Sequence, residues 1–249
     1  WSTGAAFADY DADGDLDLYV ASYVDLTDSE GQEEVPPLGP CTWRGLEVFC
    51  GPDGLTPASD VLYLNDGQEE GFSFSEMGEA WGIREAGPYF GLGVLAVDFD
   101  DDGDLDLAIM GTNRSGEAQA LVYTNEEGRL LLGEDAGIDP LRRGDLGWGD
   151  FDNDGDLDLA ITGQDVFENR SSQIYRTSAF GDELSFALSV QLPALSLGSL
   201  DWGDADNDGD LDIVLMGQSD EVEGGVQLSQ TQLWLNDGNG DTFTPAEAG

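Results

Sequence analysis

The sequence predicts an all-β protein made of four repeated units, and three observations lead to this prediction. First, an acidic nonapeptide with the pattern D-x-D-x-D-G-D-L-D occurs four times, at residues 9–17, 98–106, 150–158 and 204–212. Second, apolar and polar residues alternate directly after the copies, with the period of a half-buried β-strand. Third, a short aromatic strand follows further along each unit. Features that recur at an interval of about 50–55 residues are typical of a repeat protein.

The nonapeptide is typical of a calcium-binding loop. Carboxylates at positions 1, 3, 5 and 9 supply the hard oxygen ligands that Ca²⁺ takes in proteins, and the Gly at position 6 permits a sharp turn. Position 7 is expected to offer its backbone carbonyl oxygen. The sequence therefore predicts about four Ca²⁺ sites, formed by the aspartates Asp9, Asp11, Asp13, Asp15, Asp17, Asp98, Asp100, Asp102, Asp104, Asp106, Asp150, Asp152, Asp154, Asp156, Asp158, Asp204, Asp206, Asp208, Asp210 and Asp212.

The nonapeptide has two alternative interpretations. An EF-hand loop begins in the same way but ends in a bidentate Glu at position 12. That position is apolar in every copy (Val20, Ile109, Ile161 and Leu215), so the sequence argues against an EF-hand. The other alternative is an acidic, solvated turn. Four copies with the same Gly and Leu favour the metal site, because such crowded carboxylates would repel one another without a cation.

Each unit is predicted to contain four antiparallel strands. A strand rich in Gly and aromatic residues precedes the loop, a second strand leaves it, and a third strand carries an aromatic residue, as in residues 62–67 and 233–238. The Asn-Asp-Gly sequence that ends these two segments predicts a hairpin turn into a fourth strand. The third unit has residues 177–181 instead, so its last hairpin is less clearly marked.

Four antiparallel strands of this kind make one blade of a β-propeller. The predicted fold is therefore an all-β propeller with calcium loops between the first and second strands of each blade, and with units near residues 1–88, 89–140, 141–195 and 196–249. The four blades either close as a small ring or belong to a larger propeller. Because both ends fall at unit boundaries, we favour the larger propeller. Trp148 and Trp202 are expected to pack between blades, with ligand stacking as the alternative.

The first unit carries an insertion of about 29 residues, roughly between residues 25 and 60. It follows the second strand, so it is expected on the face opposite the calcium loops. It holds both cysteines, Cys41 and Cys50, which predict either a disulfide that closes a small loop or two free thiols; a disulfide would imply an oxidising compartment. The insertion is either a binding element or a cap over a sheet edge or the propeller centre.

The amino-acid composition argues against several classes of function. The 53 acidic and 8 basic residues give a formal charge of −45, which repels nucleic acid and anionic membranes. The chain has no His and no Lys, so imidazole-dependent and Schiff-base catalysis are excluded. No stretch is long and apolar enough for a transmembrane helix. We expect no nucleic-acid partner, no membrane insertion, and either a high-salt habitat or a calcium-rich exterior. Beginning at Trp1 without a signal peptide, the chain is expected to be a mature or excerpted piece of a longer product.

These residues resemble the FG-GAP/VCBS repeat family, whose blades build integrin-α-type propellers and many bacterial secreted proteins. More narrowly, residues 41–52 and 62–67 are similar to bacterial proteins related to cartilage acidic protein, which often carry an ASPIC/UnbV module that is not visible here. The resemblance implies a propeller with Ca²⁺ in the loops between the first and second strands, interaction surfaces on other loops, and usually no catalysis.

The sequence therefore predicts a secreted or cell-surface calcium-binding propeller without catalytic residues, which acts in adhesion or assembly through an extracellular protein or glycan partner or through self-assembly. One alternative is a carbohydrate-binding or polysaccharide-degrading propeller, for which Trp43, Tyr89 and Phe90 are candidate ligand contacts. Another is a structural subunit of an extracellular filament or surface layer.

Overall fold

The computed structural model describes residues 2–26, 41–43, 45–48, 55–67, 73–126, 128–133, 137–180, 183–223, 226–238 and 242–246. In these residues the chain forms four antiparallel sheets of four strands each, one after another along the sequence. Two small two-stranded sheets belong to the insertion. The all-β prediction is therefore confirmed, and the strands of each four-stranded sheet lie within one of the four predicted units.

The first sheet is interrupted by the insertion between its second and third strands. Its strand order is β1-β2-β7-β8, whereas β3 pairs with β6 and β4 with β5. The bounds are β1 Ser2–Ala8, β2 Asp17–Ser22, β3 Val24–Asp25, β4 Cys41–Trp43, β5 Leu46–Val48, β6 Thr56–Pro57, β7 Val61–Asn65 and β8 Phe74–Glu76. Because the acidic loop enters β2 and the insertion leaves it, the two lie at opposite ends of this strand, as the sequence predicted.

The other three sheets are simple meanders in which each strand pairs with the next. A short 3₁₀ helix, Ile83–Ala86, precedes the second sheet. The second sheet contains β9 Tyr89–Val97, β10 Asp106–Asn113, β11 Ala118–Asn125 and β12 Leu130–Leu132. The third contains β13 Arg142–Gly149, β14 Asp158–Gln164, β15 Arg170–Phe180 and β16 Glu183–Leu192, and the fourth β17 Ser196–Gly203, β18 Asp212–Glu223, β19 Val226–Asn236 and β20 Phe243–Pro245.

The last hairpin of the third sheet forms without an Asn-Asp-Gly turn. β15 and β16 pair as far as Phe180 and Glu183, so this hairpin is longer than the β7–β8 and β11–β12 pairs. The missing turn signal is replaced by extended strand pairing. The strand order of the third repeat is thus the same as that of the second and fourth.

The hydrophobic core lies between consecutive sheets. One cluster joins the first and second sheets through Tyr19, Leu62 and Leu107, and equivalent clusters join the second to the third and the third to the fourth. Trp148 of the third sheet stacks on Phe99 of the second repeat with ring centroids 5.1 Å apart. Trp202 of the fourth sheet stacks on Phe151 of the third, at 6.5 Å. Both tryptophans therefore pack between repeats, as predicted.

The two cysteines can be placed only in part. Cys41 begins β4, and Cys50 lies outside the described residues, so the Cys41–Cys50 disulfide stays a prediction. Among the described residues, no helix has the length and apolar character needed to cross a membrane.

Candidate metal centres

The four acidic loops have the same backbone shape. Position 6, always Gly, has φ between 95° and 102°, a left-handed conformation that L-residues with a Cβ rarely adopt. Position 4 is also left-handed, with φ between 56° and 62° in Ala12, Asp101, Asn153 and Asn207. The sequence marked the first feature through its glycines. It marked the second only weakly, through Asn at two of the four positions, since Asn tolerates this conformation and Ala does not.

Backbone N–H groups inside each loop hold the carboxylates in place. The Gly N–H at position 6 donates to Oδ2 of the position-1 Asp in all four loops, at 3.0–3.3 Å. The position-5 N–H donates to Oδ1 at position 3, at 3.2–3.3 Å. The position-7 N–H donates to Oδ1 at position 5, at 2.8–3.0 Å. The loop backbone thus curls around its own carboxylates and fixes their directions.

The Asp at position 9 anchors the loop to the rest of the repeat. These residues (Asp17, Asp106, Asp158 and Asp212) are 0–1 % exposed. One carboxylate oxygen accepts the position-2 N–H at 2.7–3.2 Å. The other accepts a backbone N–H of the third strand at 2.8–2.9 Å. Burial raises the pKa of Asp106 and Asp158 to about 7. Each such residue, at the start of the second strand, therefore ties the beginning of the loop to the third strand.

The structure brings three of the predicted ligands together in each repeat. Oxygens from positions 1, 3 and 9 lie within 4.8 Å of one another in the second, third and fourth loops, and oxygens from positions 1, 3 and 5 do so in the first. In the second loop, Oδ1 of Asp98 is buried and has no hydrogen-bond partner. At position 7, the side chains of Asp15 and Asp210 face Gly67 and Gly238 of their own repeats. That position 7 offers its backbone carbonyl to a cation stays a prediction.

The electrostatics of the clusters favour a cation. At position 3, the pKa values of Asp100 and Asp152 are raised, first by desolvation and then by the neighbouring carboxylates Asp102 and Asp154. Like charges this close make ionisation costly. A divalent cation among them would reverse this effect, because it stabilises every ionised carboxylate around it.

The third loop contains a positive side chain that the sequence analysis missed. Nε of Arg176 lies 2.5 Å from Oδ2 of Asp152, and the guanidinium lies 5.6 Å from the centre of the Phe151 ring. The equivalent residues of the other repeats are Leu64, Thr124 and Leu235. A comparison of the repeats at this position would have shown that one candidate site already has a cation beside a ligand.

The aromatic ligand candidates are placed differently from the expectation. Tyr89 and Phe90 are 3 % and 5 % exposed, so the expectation that they present their rings to a ligand is wrong. Tyr89 donates its hydroxyl to Oδ2 of Asp60 at 2.9 Å, and Phe90 packs edge-on against Tyr23. They fill the core because β9 has sheet neighbours on both faces. Trp43 lies in β4, and its side chain is outside the described part of the chain.

The class of protein follows from the four-stranded sheets, the four acidic loops and the hydrophobic clusters between repeats. It is an all-β, propeller-like repeat protein with acidic loops that could hold metal ions. Residues 150–215 match the family model of the FG-GAP-like repeat. The matched segment begins at the third acidic loop and ends just after the fourth. This match supports an FG-GAP-like repeat in the part of the chain that contains the third and fourth loops. No curated protein matches the chain at a significant level.

Proposed function

We propose that this chain is a calcium-binding interaction module of an extracellular protein, without catalytic activity, whose sheets are the blades of a propeller. The observation that carries the proposal is the fourfold repetition of one loop, in which the same backbone hydrogen bonds gather carboxylates at positions 1 and 3 with a third oxygen nearby. A single acidic turn would carry little weight, whereas four loops with the same φ angles and the same backbone hydrogen bonds favour a shared ligand.

The donor set fits Ca²⁺. Every oxygen gathered in the clusters is a carboxylate oxygen, which suits a hard cation, and loops of this size let Ca²⁺ collect six to eight ligands. The buried, unpartnered Oδ1 of Asp98 needs a positive partner to offset its lost hydration. When bound, Ca²⁺ would neutralise the loop carboxylates, while the position-9 Asp would transmit this to the third strand through its backbone hydrogen bonds. Metal binding would therefore be coupled to the stability of each repeat.

The propeller arrangement is supported by the innermost strands. A cavity of about 430 Å³ is lined by residues of β1, β9, β13 and β17, the first strand of each sheet. Neighbouring first strands are also linked: Thr3 Oγ1 donates to the Gly91 carbonyl at 2.5 Å, and Trp202 Nε1 donates to the Gly147 carbonyl at 3.2 Å. First strands that surround one space are what a propeller axis requires.

An interaction role fits the remaining chemistry. The sequence has neither His nor Lys, and 21 of its 53 acidic residues belong to the four loops. Calcium sites of extracellular modules bind at about 10⁻⁴–10⁻³ M, so the exterior is where such loops would be filled. The strong negative charge keeps the molecule soluble and excludes polyanionic partners.

Calcium titration tests the proposal. Isothermal titration calorimetry and native mass spectrometry should find about four Ca²⁺ per chain, and chelation should lower the melting temperature by at least about 10 °C. Asp204→Asn, at position 1 of the fourth loop, should remove one of these ions. Asp201→Asn, three residues earlier in β17, is the matched control and should keep all of them. An unchanged melting temperature with and without chelator would overturn the proposal.

A further inference from the structure

A cleft on the face opposite the acidic loops has the features of a binding site. Its volume is about 630 Å³, within the range of ligand sites, and it is lined by residues 117–119, 139–141, 165–167 and 169–171. It lies between the turn that joins β10 to β11 and the turn that joins β14 to β15. Loops at this end of the sheets are not used by the proposed metal sites.

The rim of the cleft carries an exposed aromatic ring on a rigid turn. Phe167 is 81 % exposed, and its backbone N–H donates to Oδ1 of Asp165 at 2.7 Å. The same carboxylate accepts the N–H of Asn169 at 2.9 Å and its side-chain amide at 2.8 Å. The turn is closed by the Asp165 N–H, which donates to the Asn169 carbonyl at 2.9 Å. The ring is thus held in solvent by a preorganised backbone rather than by a flexible loop.

The second repeat shows that this turn does not need the aromatic ring. Residues 113–117 form the same backbone N–H hydrogen bonds, with Asn113 in the place of Asp165 and Glu117 in the place of Asn169. Only the side-chain bond is reversed, since Asn113 Nδ2 donates to Glu117 Oε2 at 2.7 Å. The residue equivalent to Phe167 is Ser115. Because Ser suffices for the fold of the turn, the large exposed ring in the third repeat has no structural role there, which points to a contact with a partner.

The charged residues that line the cleft determine the chemistry of the ligand that it can bind. Its lining contains three carboxylates, Glu117, Asp139 and Asp165, and one guanidinium, Arg170. The Arg170 side chain is 8 % exposed; it forms an ion pair with Asp220 and donates from Nε to Ser196 Oγ at 3.1 Å. That positive charge is paired, whereas the carboxylates of Glu117 and Asp139 each accept one amide hydrogen bond, from Asn113 Nδ2 at 2.7 Å and from Gln173 Nε2 at 2.8 Å. Neutral donors leave these carboxylates charged, so the lining has a net negative charge and favours a ligand with positive charge and hydrogen-bond donors.

From this geometry we infer that the cleft binds an arginine- or lysine-bearing segment of a protein partner. The cationic group lies among the carboxylates of Glu117 and Asp139, and the face of Phe167 covers it through a cation–π contact. This inference rests on the proposed function of the chain as an interaction module and names the chemistry of the partner. It uses residues that are separate from the four acidic loops.

The test is an NMR titration of the ¹⁵N-labelled, calcium-loaded chain with two acetylated and amidated peptides of sequence Gly-Arg-Gly-Arg-Gly, one with arginine and one with its neutral isostere citrulline. At physiological ionic strength, the arginine peptide should shift the signals of residues 165–171, and the citrulline peptide should bind at least about tenfold more weakly. Phe167→Ser, which copies the second repeat and leaves the charge unchanged, should weaken the arginine peptide about fivefold to tenfold.

Leu197→Ser is the control, because Leu197 is 53 % exposed but does not line the cleft; it should leave the affinity unchanged. If the arginine peptide bound the wild type and Phe167→Ser with equal affinity, the overall negative charge of the protein would explain the binding, and the inference would be overturned. Binding of the neutral tetrasaccharides maltotetraose or cellotetraose in the cleft, without binding of the arginine peptide, would also overturn it. A calcium titration of the same samples separates these outcomes from a failure of the proposed metal sites.

Discussion

The junctions between consecutive repeats contain equivalent loops and strands, but they differ in the hydrogen bonds that cross them. Where the first repeat meets the second, Asn125 Nδ2 donates to the Tyr10 carbonyl at 2.9 Å. Where the third meets the fourth, Asn236 Nδ2 donates to the Phe151 carbonyl at 2.6 Å. At the junction between the second and third repeats the equivalent residue is Thr177, whose buried hydroxyl has no hydrogen-bond partner. The stacking of Trp148 on Phe99 still joins these repeats, as the stacking of Trp202 on Phe151 does at the bridged junction of the third and fourth repeats.

This difference shows how one loop can be connected to the next. The acceptors Tyr10 and Phe151 occupy position 2 of the first and third acidic loops, beside the position-1 carboxylates. The same Asn side chains also donate to position-8 carbonyls of their own loops, at 3.1 Å for Asn125 and 3.3 Å for Asn236. Each such bridge therefore ties two loops together, and the loops of the described chain are linked as two pairs rather than as a series of four.

The largest expected effect comes from removing a bridge. Asn125→Ala and Asn236→Ala should each lower the free energy of unfolding by about 2–3 kcal/mol, because two buried carbonyls lose their donor. The backbone N–H bonds to Asp106 and Asp212 do not depend on the side chain and should remain. Urea denaturation in saturating Ca²⁺ measures the effect.

The matched control is Asn65→Ala. Asn65 donates to the position-8 carbonyl of its own loop, Leu16, at 3.3 Å and makes no bridge to another repeat among the described residues. Its loss should cost about 1 kcal/mol. If all three variants were equally destabilised, the contacts between repeats would contribute nothing beyond those within a repeat, and the comparison would fail.

The sequence predicted the repeated parts of this structure and missed the parts in which one repeat differs from another. A fixed Gly, alternating apolar residues and Asn-Asp-Gly turns are patterns within short segments. The loops and the four-strand units could therefore be predicted from the sequence alone. The bridge from Asn236 to Phe151 spans 85 positions and depends on how sheets stack, which periodicity does not encode. The burial of Tyr89 and Phe90 was missed for the same reason, since a strand pattern does not reveal what covers its faces.

A substitution at Thr177 can introduce the missing bridge between the second and third repeats. Thr177→Asn replaces a buried, unpaired hydroxyl with an amide of similar size, placed to reach the position-2 carbonyl of Phe99. The free energy of unfolding should rise by about 1 kcal/mol. Thr177→Val, which only removes the hydroxyl, should give part of this gain. If Thr177→Asn were less stable than Thr177→Val in urea denaturation, an Asn would not bridge at this junction.

A smaller effect concerns the third loop, where Arg176 pairs with Asp152. If the loops bind Ca²⁺ as proposed, the guanidinium competes for one ligand. Arg176→Leu, which copies the first and fourth repeats, should then raise the Ca²⁺ affinity of this site about threefold. Calorimetry of Arg84→Leu gives the control for lost positive charge, since Arg84 pairs with Glu76 and Glu79 away from the loops. An equal rise in both variants would indicate only a change in overall charge.

The smallest expected effect is a pH dependence of stability that arises at the first of the two bridged junctions. At the first junction a second link is present: Oδ2 of Asp60 accepts the hydroxyls of Tyr19 of β2 and Tyr89 of β9, and Oδ1 accepts the Ser22 N–H at 2.7 Å. Burial raises the pKa of Asp60 above its usual 3.8, an effect that these hydrogen bonds only partly offset.

Because the folded pKa of Asp60 lies above the unfolded value, the folded state binds its proton more tightly. The stability that this proton provides is complete below pH 3.8 and is lost as the pH rises through the folded pKa. The unfolding free energy of the wild type minus that of Asp60→Asn should therefore increase as the pH falls from 7 toward 4, by less than about 1 kcal/mol. Taking this difference removes the titration of the loop carboxylates, which both proteins share. A difference that is flat or falls over this range would mean that Asp60 does not titrate in the buried link, and that the Tyr19–Asp60–Tyr89 contact joins the repeats with the same strength at every pH.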